Sequence, residues 1–276
     1  MQEIFAESPS LSLPEASVRV TCLRDVNPYV RWWSADGNLL WDSNDIGSFR
    51  ALKMSVCRTT VLEDGEGGKI AMPEHLSPLF LAWPGCAFDI RLGAAELPLL
   101  DGSAYSWYKL LRSPAGALGE LSFYDVPLRT RFEWESGFCE IRPAETFEVE
   151  YSLRHGAYED SYYTAIYGAE ELFPLLCART FIFKDDYERA KSAGLLGGAA
   201  SGCGMLLNVN STGALEALDG GPFRFPQEPL MHKVLDLIGD ISLPRPVLPR
   251  LRIRIHNGGH VAHHEILKRL LDYVTP

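Results

Sequence analysis

The ten residues Met231-His232-Lys233-Val234-Leu235-Asp236-Leu237-Ile238-Gly239-Asp240 constrain the fold more than any other stretch. Taken as a helix at about 100° per residue, they place His232, Asp236 and Asp240 within about 80° of one another, with Lys233 at the edge of that stripe. Val234, Leu235, Leu237 and Ile238 point the other way and ask for a core. An imidazole and a carboxylate at i and i+4 can reach one cation, and a second carboxylate one turn on can orient a neighbouring group. The stretch is half of a metal site. Alone it better suits an amphipathic helix with a His/Asp pair on its wet face, so the remaining groups of a metal site must be sought elsewhere.

A chain of 276 residues has room for two domains. Its formal net charge of -10 argues against a nucleic-acid partner, because phosphate binding is built from clustered Lys and Arg. The cysteines (Cys22, Cys57, Cys86, Cys139, Cys177, Cys203) show no C-x-x-C and no regular spacing, which suggests buried reduced thiols over a disulfide framework. Met1 to Ser10 lacks the apolar run of a signal peptide, and the longest apolar stretch, Leu76 to Ile90, is broken by Pro78, Pro84 and Gly85. A cytoplasmic protein without a transmembrane segment is expected.

Along the first part of the chain, Ser17 to Cys22 alternates as a strand. Tyr29 to Trp33 and Leu39 to Trp41 flank the turn signal Ala35-Asp36-Gly37-Asn38 as a hairpin, and Arg58 to Leu62 is a further strand candidate. Glu74-His75 follows Pro73, where an imidazole could ligate a metal beside a carboxylate able to deprotonate bound water. Phe88, Ile90 and Leu92 alternate as a half-buried strand. Ser103 is positioned to cap a helix carrying Ala104, Trp107, Tyr108 and Leu111 on one face. The Pro and Gly cluster at Ser113 to Gly119 suggests a boundary, giving domains 1-118 and 119-276.

Beyond it, Leu121 to Tyr151 reads as several strands, Glu170 to Leu176 and Lys184 to Ala193 as helices, and Ala178-Arg179-Thr180-Phe181 as the entry to an aromatic strand. Gly197 to Gly202 lacks the G-x-x-x-x-G-K-[ST] pattern of a phosphate loop and reads as close backbone packing. Leu251, Ile253 and Ile255 alternate up to the turn Asn257-Gly258-Gly259-His260, and a terminal helix carries Leu267, Leu270, Leu271 and Val274 on one face. Strand, turn and helix also follow in that order at Phe88 to Leu111, which hints at two related halves. His263 and His264 read as a polar cap, while His260 sits at the mouth of the turn.

Four separated motifs line up together: Glu74-His75-Leu76; Leu97 to Ala104; Ala178 to Phe181; and His232-Lys233-Val234-Leu235-Asp236 through Gly239-Asp240 to Gly259-His260. In order and spacing the chain resembles the UDP-3-O-acyl-N-acetylglucosamine deacetylase family of lipid A biosynthesis over roughly residues 50 to 275. The resemblance implies an α+β fold of two related two-layer domains, each a mostly antiparallel sheet covered by helices, with the active site between them. It implies Zn2+ held by His75, His232 and Asp236 with an open position for water, and Glu74 as general base. His260 would stabilise the oxyanion and protonate the leaving amine, held by Asp240. Thr180 would donate to the oxyanion, Phe181 would line the sugar site and Lys233 would contact the nucleotide part. The implied partner is a small-molecule substrate, an acylated, nucleotide-linked amino sugar, and a monomer is expected.

The chemistry agrees with this assignment. Amide hydrolysis needs a Lewis acid, a base for water, an oxyanion donor and an acid for the amine, and the sequence offers a group for each. The departures lie elsewhere. No histidine precedes His75, whereas the family carries a G-L-H-x-G turn near its N-terminus. Asn257 stands where a basic residue usually faces pyrophosphate, Gly258-Gly259 replaces Ser-Gly, and Met231 replaces a common Arg. Two other functions follow from these differences: an N-acyl hydrolase of another amino sugar or specialised metabolite, and a catalytically silent paralogue that binds a sugar nucleotide or a partner protein.

Overall fold

The computed structural model describes residues 1–24, 27–56, 59–198 and 201–274. Cys57 and the start of the strand expected at Arg58 lie outside the described residues, as do Ala199 and Ala200 of the small-residue loop.

The first half of the chain runs β1 (Gln2–Ser8), β2 (Ala16–Arg24), β3 (Val30–Trp33), β4 (Leu39–Asp42), α1 (Ile46–Arg50), β5 (Lys53–Val56), β6 (Thr60–Glu63) and β7 (Lys69–Ala71). A 3-10 turn (Pro73–His75), α2 (Pro78–Leu81), β8 (Cys86–Leu92) and α3 (Ala104–Ala115) complete it. After β9 (Phe123–Asp125), the second half runs β10 (Thr130–Trp134), β11 (Gly137–Pro143), β12 (Phe147–His155), β13 (Tyr158–Ile166), α4 (Ala169–Leu176), β14 (Phe181–Phe183), α5 (Lys184–Ser192), β15 (Met205–Val209) and β16 (Leu215–Asp219). It closes with α6 (Glu228–Ser242), β17 (Leu248–His256) and α7 (His260–Leu270).

The two halves repeat one topology. One sheet has the order β1-β2-β8-β3-β4 and the other β10-β11-β17-β12-β13. In each, two hairpins form first and a fifth strand then enters between them. β8 is antiparallel to β2 and parallel to β3, as β17 is to β11 and β12. Each half also carries a three-stranded insertion before that fifth strand, β5-β6-β7 in the first and β14-β15-β16 in the second, and a helix after it. The α+β, two-layer arrangement and the echo between halves agree with the sequence reading.

Alternation explains which sheet face is covered. Ile90, Ile253 and Ile255 are buried, while Arg91 and Arg254 between or beside them are exposed. The helices fill the space between the inner faces in one apolar core that both halves share. Trp32 stacks on Trp41 with centroids 5.1 Å apart, and the Trp41 Nε1–H donates to the Leu243 carbonyl at 3.2 Å, tying the first sheet to the end of α6. Phe183, Met205 and Leu207 form a smaller core under the second insertion.

Local details differ from expectation at three places. No helix runs on from Pro73 through Pro78, because the chain forms the 3-10 turn and then a separate α2 that takes Pro78 in its first turn. Ser103 precedes α3 but does not cap it, since its hydroxyl donates instead to Asp101 Oδ1 at 2.7 Å. The polar stripe of α6 is not a wet face: His232 is 1%, Asp236 2% and Asp240 0% exposed. A helix this buried on its charged side needs specific partners for those charges.

Candidate active site

The partners come from the first half. β7 ends at Ala71, and Met72 after it adopts a left-handed conformation (φ 64°) that swings the chain into the 3-10 turn, so that Glu74 and His75 are both buried. That turn packs directly on α6 at Gly239, where a Cβ would stand 2.8 Å from the Glu74 carbonyl carbon. Ser77 reinforces the contact by donating to the Gly239 carbonyl at 2.9 Å.

His75, His232 and Asp236 converge there, with one ligand atom from each lying within 4.8 Å of the others. His75 Nε2 is 3.5 Å and His232 Nε2 3.1 Å from Asp236 Oδ1. His232 Nε2 and Asp236 Oδ1 are buried, yet neither makes a hydrogen bond among the described residues. Two orphaned lone-pair atoms facing one point are what a cation would satisfy, and two imidazoles with a carboxylate suit a divalent metal of the zinc type. The His232 ring is oriented by Nδ1, which lies 3.1 Å from the Ala178 carbonyl, and Lys233 Nζ donates to Asp236 Oδ2 at 3.0 Å. Burial would raise the Asp236 carboxyl, but His232 and Lys233 hold it well below the usual range. Burial lowers His232, keeping it neutral for ligation.

Glu74 lies beside this cluster. Its Oε1 accepts from the Thr59 hydroxyl and from the Thr60 N–H at 3.3 Å, whereas Oε2 is buried with no partner among the described residues. Burial pushes the Glu74 carboxyl up, with His260 pulling against it. His260 opens α7 and presents Nε2 3.6 Å from Glu74 Oε1, while its Nδ1 lies 2.8 Å from Asp240 Oδ2. Burial alone would lower the His260 imidazolium, but the Asp240 and Glu74 carboxylates outweigh it and raise the group to about 9.

Phe181 and Lys233 meet each other, with Nζ 5.5 Å from the ring centroid, so β14 is linked to the metal-type cluster through Lys233 and Asp236. Thr180 is fixed by its backbone, its N–H donating to Gly102 O at 2.7 Å and its carbonyl accepting from Met205 N–H at 2.8 Å. It shares with Phe181, Leu11, Leu99 and Met205 the wall of a cavity of about 160 Å³. The structure thus brings Glu74, His75, His232, Lys233, Asp236, Asp240 and His260 into one cluster, and it sets Thr180 and Phe181 on the adjoining wall.

A profile of the family described as UDP-3-O-acyl N-acetylglycosamine deacetylase matches residues 42–272. The chain belongs to this family. Among relatives, the UDP-3-O-acyl-N-acetylglucosamine deacetylase of Actinobacillus succinogenes is 29% identical over 265 residues, or 92% of this chain and 79% of its own. The deacetylase of Hydrogenovibrio crunogenus is 30% identical and covers 78% of this chain and 72% of its own. That of Synechocystis sp. is 29% identical over 75% of each.

For this deacetylase-family chain, three sequence readings need correction or addition. His263 and His264 are not a polar cap: both are buried, and His263 Nδ1 lies 2.8 Å from Asp240 Oδ2. Thr59 and Thr60, read only with a strand, supply hydroxyls to Glu74 and Asp240. Asn257 is not a spare amide facing a ligand. Its Oδ1 accepts from the Arg154 N–H at 2.6 Å and its Nδ2 donates to Ser136 O at 3.0 Å, which holds the left-handed turn (φ 50°) leading to His260.

Proposed function

We propose that the chain is a zinc-dependent deacetylase that hydrolyses the acetamide of UDP-3-O-acyl-N-acetylglucosamine, in the lipid A pathway. The observation that carries this reading is the pairing of two orphaned ligand atoms, His232 Nε2 and Asp236 Oδ1, with an orphaned base oxygen, Glu74 Oε2, in one buried cluster. Family membership and the activity for which the relatives are named supply the substrate.

His75, His232 and Asp236 would hold the zinc. When bound, it would polarise the acetyl carbonyl and acidify water. Glu74 Oε2 takes the proton of the attacking water, with Oε1 steadied by Thr59 and Thr60. As water adds to the carbonyl carbon, negative charge grows on the carbonyl oxygen, and the His260 imidazolium and Thr180 are the donors that meet it. The C–N bond then breaks, the His260 Nε2 proton passes to the amine nitrogen, and acetate and the free amino sugar leave. Asp240 keeps the His260 Nδ1 proton in place throughout. Phe181 lines the sugar site, and Lys233 contacts the nucleotide part.

A second reading, hydrolysis of another N-acyl amino sugar, draws on Asn257, whose amide is consumed by the turn and offers pyrophosphate no charge. Acetate release from UDP-3-O-acyl-N-acetylglucosamine by the zinc-loaded protein tests the first reading. Turnover of N-acyl amino sugars lacking UDP, with none of the UDP substrate, would favour the second.

A further inference from the structure

Asp240 is shared. Its Oδ2 is 2.8 Å from His260 Nδ1 and also 2.8 Å from His263 Nδ1, while Oδ1 accepts from the Thr60 hydroxyl. Asp240 and His263 are each 0% exposed and His260 8%. α7 begins at His260, so positions 260 and 263 fall on the same face one turn apart, and both rings reach the one carboxylate. A carboxylate can only accept, so both Nδ1 atoms carry protons. The Nε2 of His263 lies 3.1 Å from the Tyr151 hydroxyl. Burial lowers the His263 imidazolium and lifts the Tyr151 phenol well above its usual range, so His263 is neutral and its Nε2 accepts from Tyr151. The Tyr151 hydroxyl, the His263 Nδ1–H and the His260 Nδ1–H thus each donate once along this run.

Gly258 fits the same design. A Cβ there would stand 2.9 Å from Tyr151 Oη and would collide with the Ile255 side chain. Any side chain at 258 would push on the hydroxyl that holds His263. The glycine and the second histidine are two separate observations on one device.

Resting on the proposed function, we infer that His263 is a positioning residue for the acid His260: the run Tyr151, His263, Asp240 fixes the carboxylate and divides its hydrogen-bonding capacity between two imidazoles. With one donor removed, Asp240 would bind the His260 Nδ1–H more strongly, which makes the imidazolium a weaker acid and slows the passage of its Nε2 proton to the amine.

The test uses the full-length, zinc-loaded chain labelled with 15N-histidine. Two imidazole Nδ1–H protons bonded to the Asp240 carboxylate are expected at low field, one each from His260 and His263, beside the His232 Nδ1–H that faces the Ala178 carbonyl. In His263→Leu the His263 signal is lost, the His260 signal moves further downfield, and kcat falls roughly 10- to 100-fold with KM within about twofold, the usual scale for a group behind the reacting ones. In His263→Asn, whose amide can replace the Nδ1–H donor, the His260 signal stays near its parental position and most of kcat returns. An unmoved His260 resonance in His263→Leu, or equal loss of kcat in the two variants, overturns the inference. Should His263→Leu fail to fold, Tyr151→Phe carries the test: faster exchange of the His263 proton and a few-fold loss of kcat support it, and no change in either overturns it. The resonances need no substrate, so an inactive parent with both signals present counts against the proposed function alone.

Discussion

Gly239 and Glu74 meet backbone to backbone: a Cβ on Gly239 would stand 2.8 Å from the Glu74 carbonyl carbon and 2.9 Å from its Cα. The metal-type ligands of α6 and the 3-10 turn holding Glu74 and His75 can share one cluster only because residue 239 has no side chain. Gly239→Ala is therefore expected to shift the turn. Overpacking of this kind costs about 1 to 3 kcal/mol of stability, whereas a misplacement near 1 Å costs on the order of 100-fold in rate. The expected result is a modest fall in Tm with a much larger fall in kcat, measured by thermal unfolding and steady-state kinetics.

His232→Ala and Asp236→Ala should each lose most bound zinc while remaining folded, because each deletes one of the orphaned atoms around which the cluster is built. Zinc per chain measured after dialysis checks this. Adding zinc should raise the Tm of the parent, since a ligand at 100 times its Kd stabilises by about 2.7 kcal/mol, and the rise should vanish in both variants.

Much of this site was legible along the chain, and the limits have physical causes. His232, Asp236 and Asp240 declare themselves by helical spacing, and Glu74-His75 by adjacency, because local periodicity is written in the sequence. What spacing could not say is that the stripe on α6 is buried, since burial depends on elements up to 180 residues away, such as Thr60 against Asp240. His263 looked like a helix cap because polar residues gather there. Its partner Tyr151 lies 112 residues earlier, and no local pattern joins them. Asn257 looked chemically available, but left-handed turn geometry absorbed its amide. In the sheets, alternation marked the strands around Ile90 and Ile253, while the entry of each fifth strand between two hairpins is a tertiary choice.

Arg179 of the Ala178-Arg179-Thr180-Phe181 motif clamps the site from outside it. Its Nε and Nη2 donate to Glu228 Oε1 and Oε2 at 2.7 and 2.9 Å, joining the entry of β14 to the first turn of α6. Burial would raise the Glu228 carboxyl, but the Arg179 hydrogen bonds outweigh it and hold it below its usual range. A carboxyl depressed in the folded state contributes stability above its unfolded value, and that contribution is lost as pH falls through the folded one. Glu228→Gln should cost about 3 to 5 kcal/mol near neutral pH, the scale of a broken buried pair. The gap between parent and variant in denaturant unfolding should narrow as the pH drops below the ordinary glutamate range.

The pH profile of kcat/KM should be limited on its alkaline side by His260, which must be protonated and is raised to about 9. Activity is expected to hold through neutral pH and fall as pH passes about 9. Asp240→Asn removes the main charge that opposes burial, so its alkaline limb should move to lower pH, with zinc content unchanged.

The account rests on Glu74 as the base, and the most direct test is the rate of acetate release from UDP-3-O-acyl-N-acetylglucosamine by parent and Glu74→Gln proteins, both carrying one zinc per chain. The glutamine keeps the size of the side chain but cannot take a proton from water. The expected result is a loss of at least about 100-fold at every pH, in line with the weight of general-base catalysis. Near-parental rates in Glu74→Gln at full zinc loading would contradict the account.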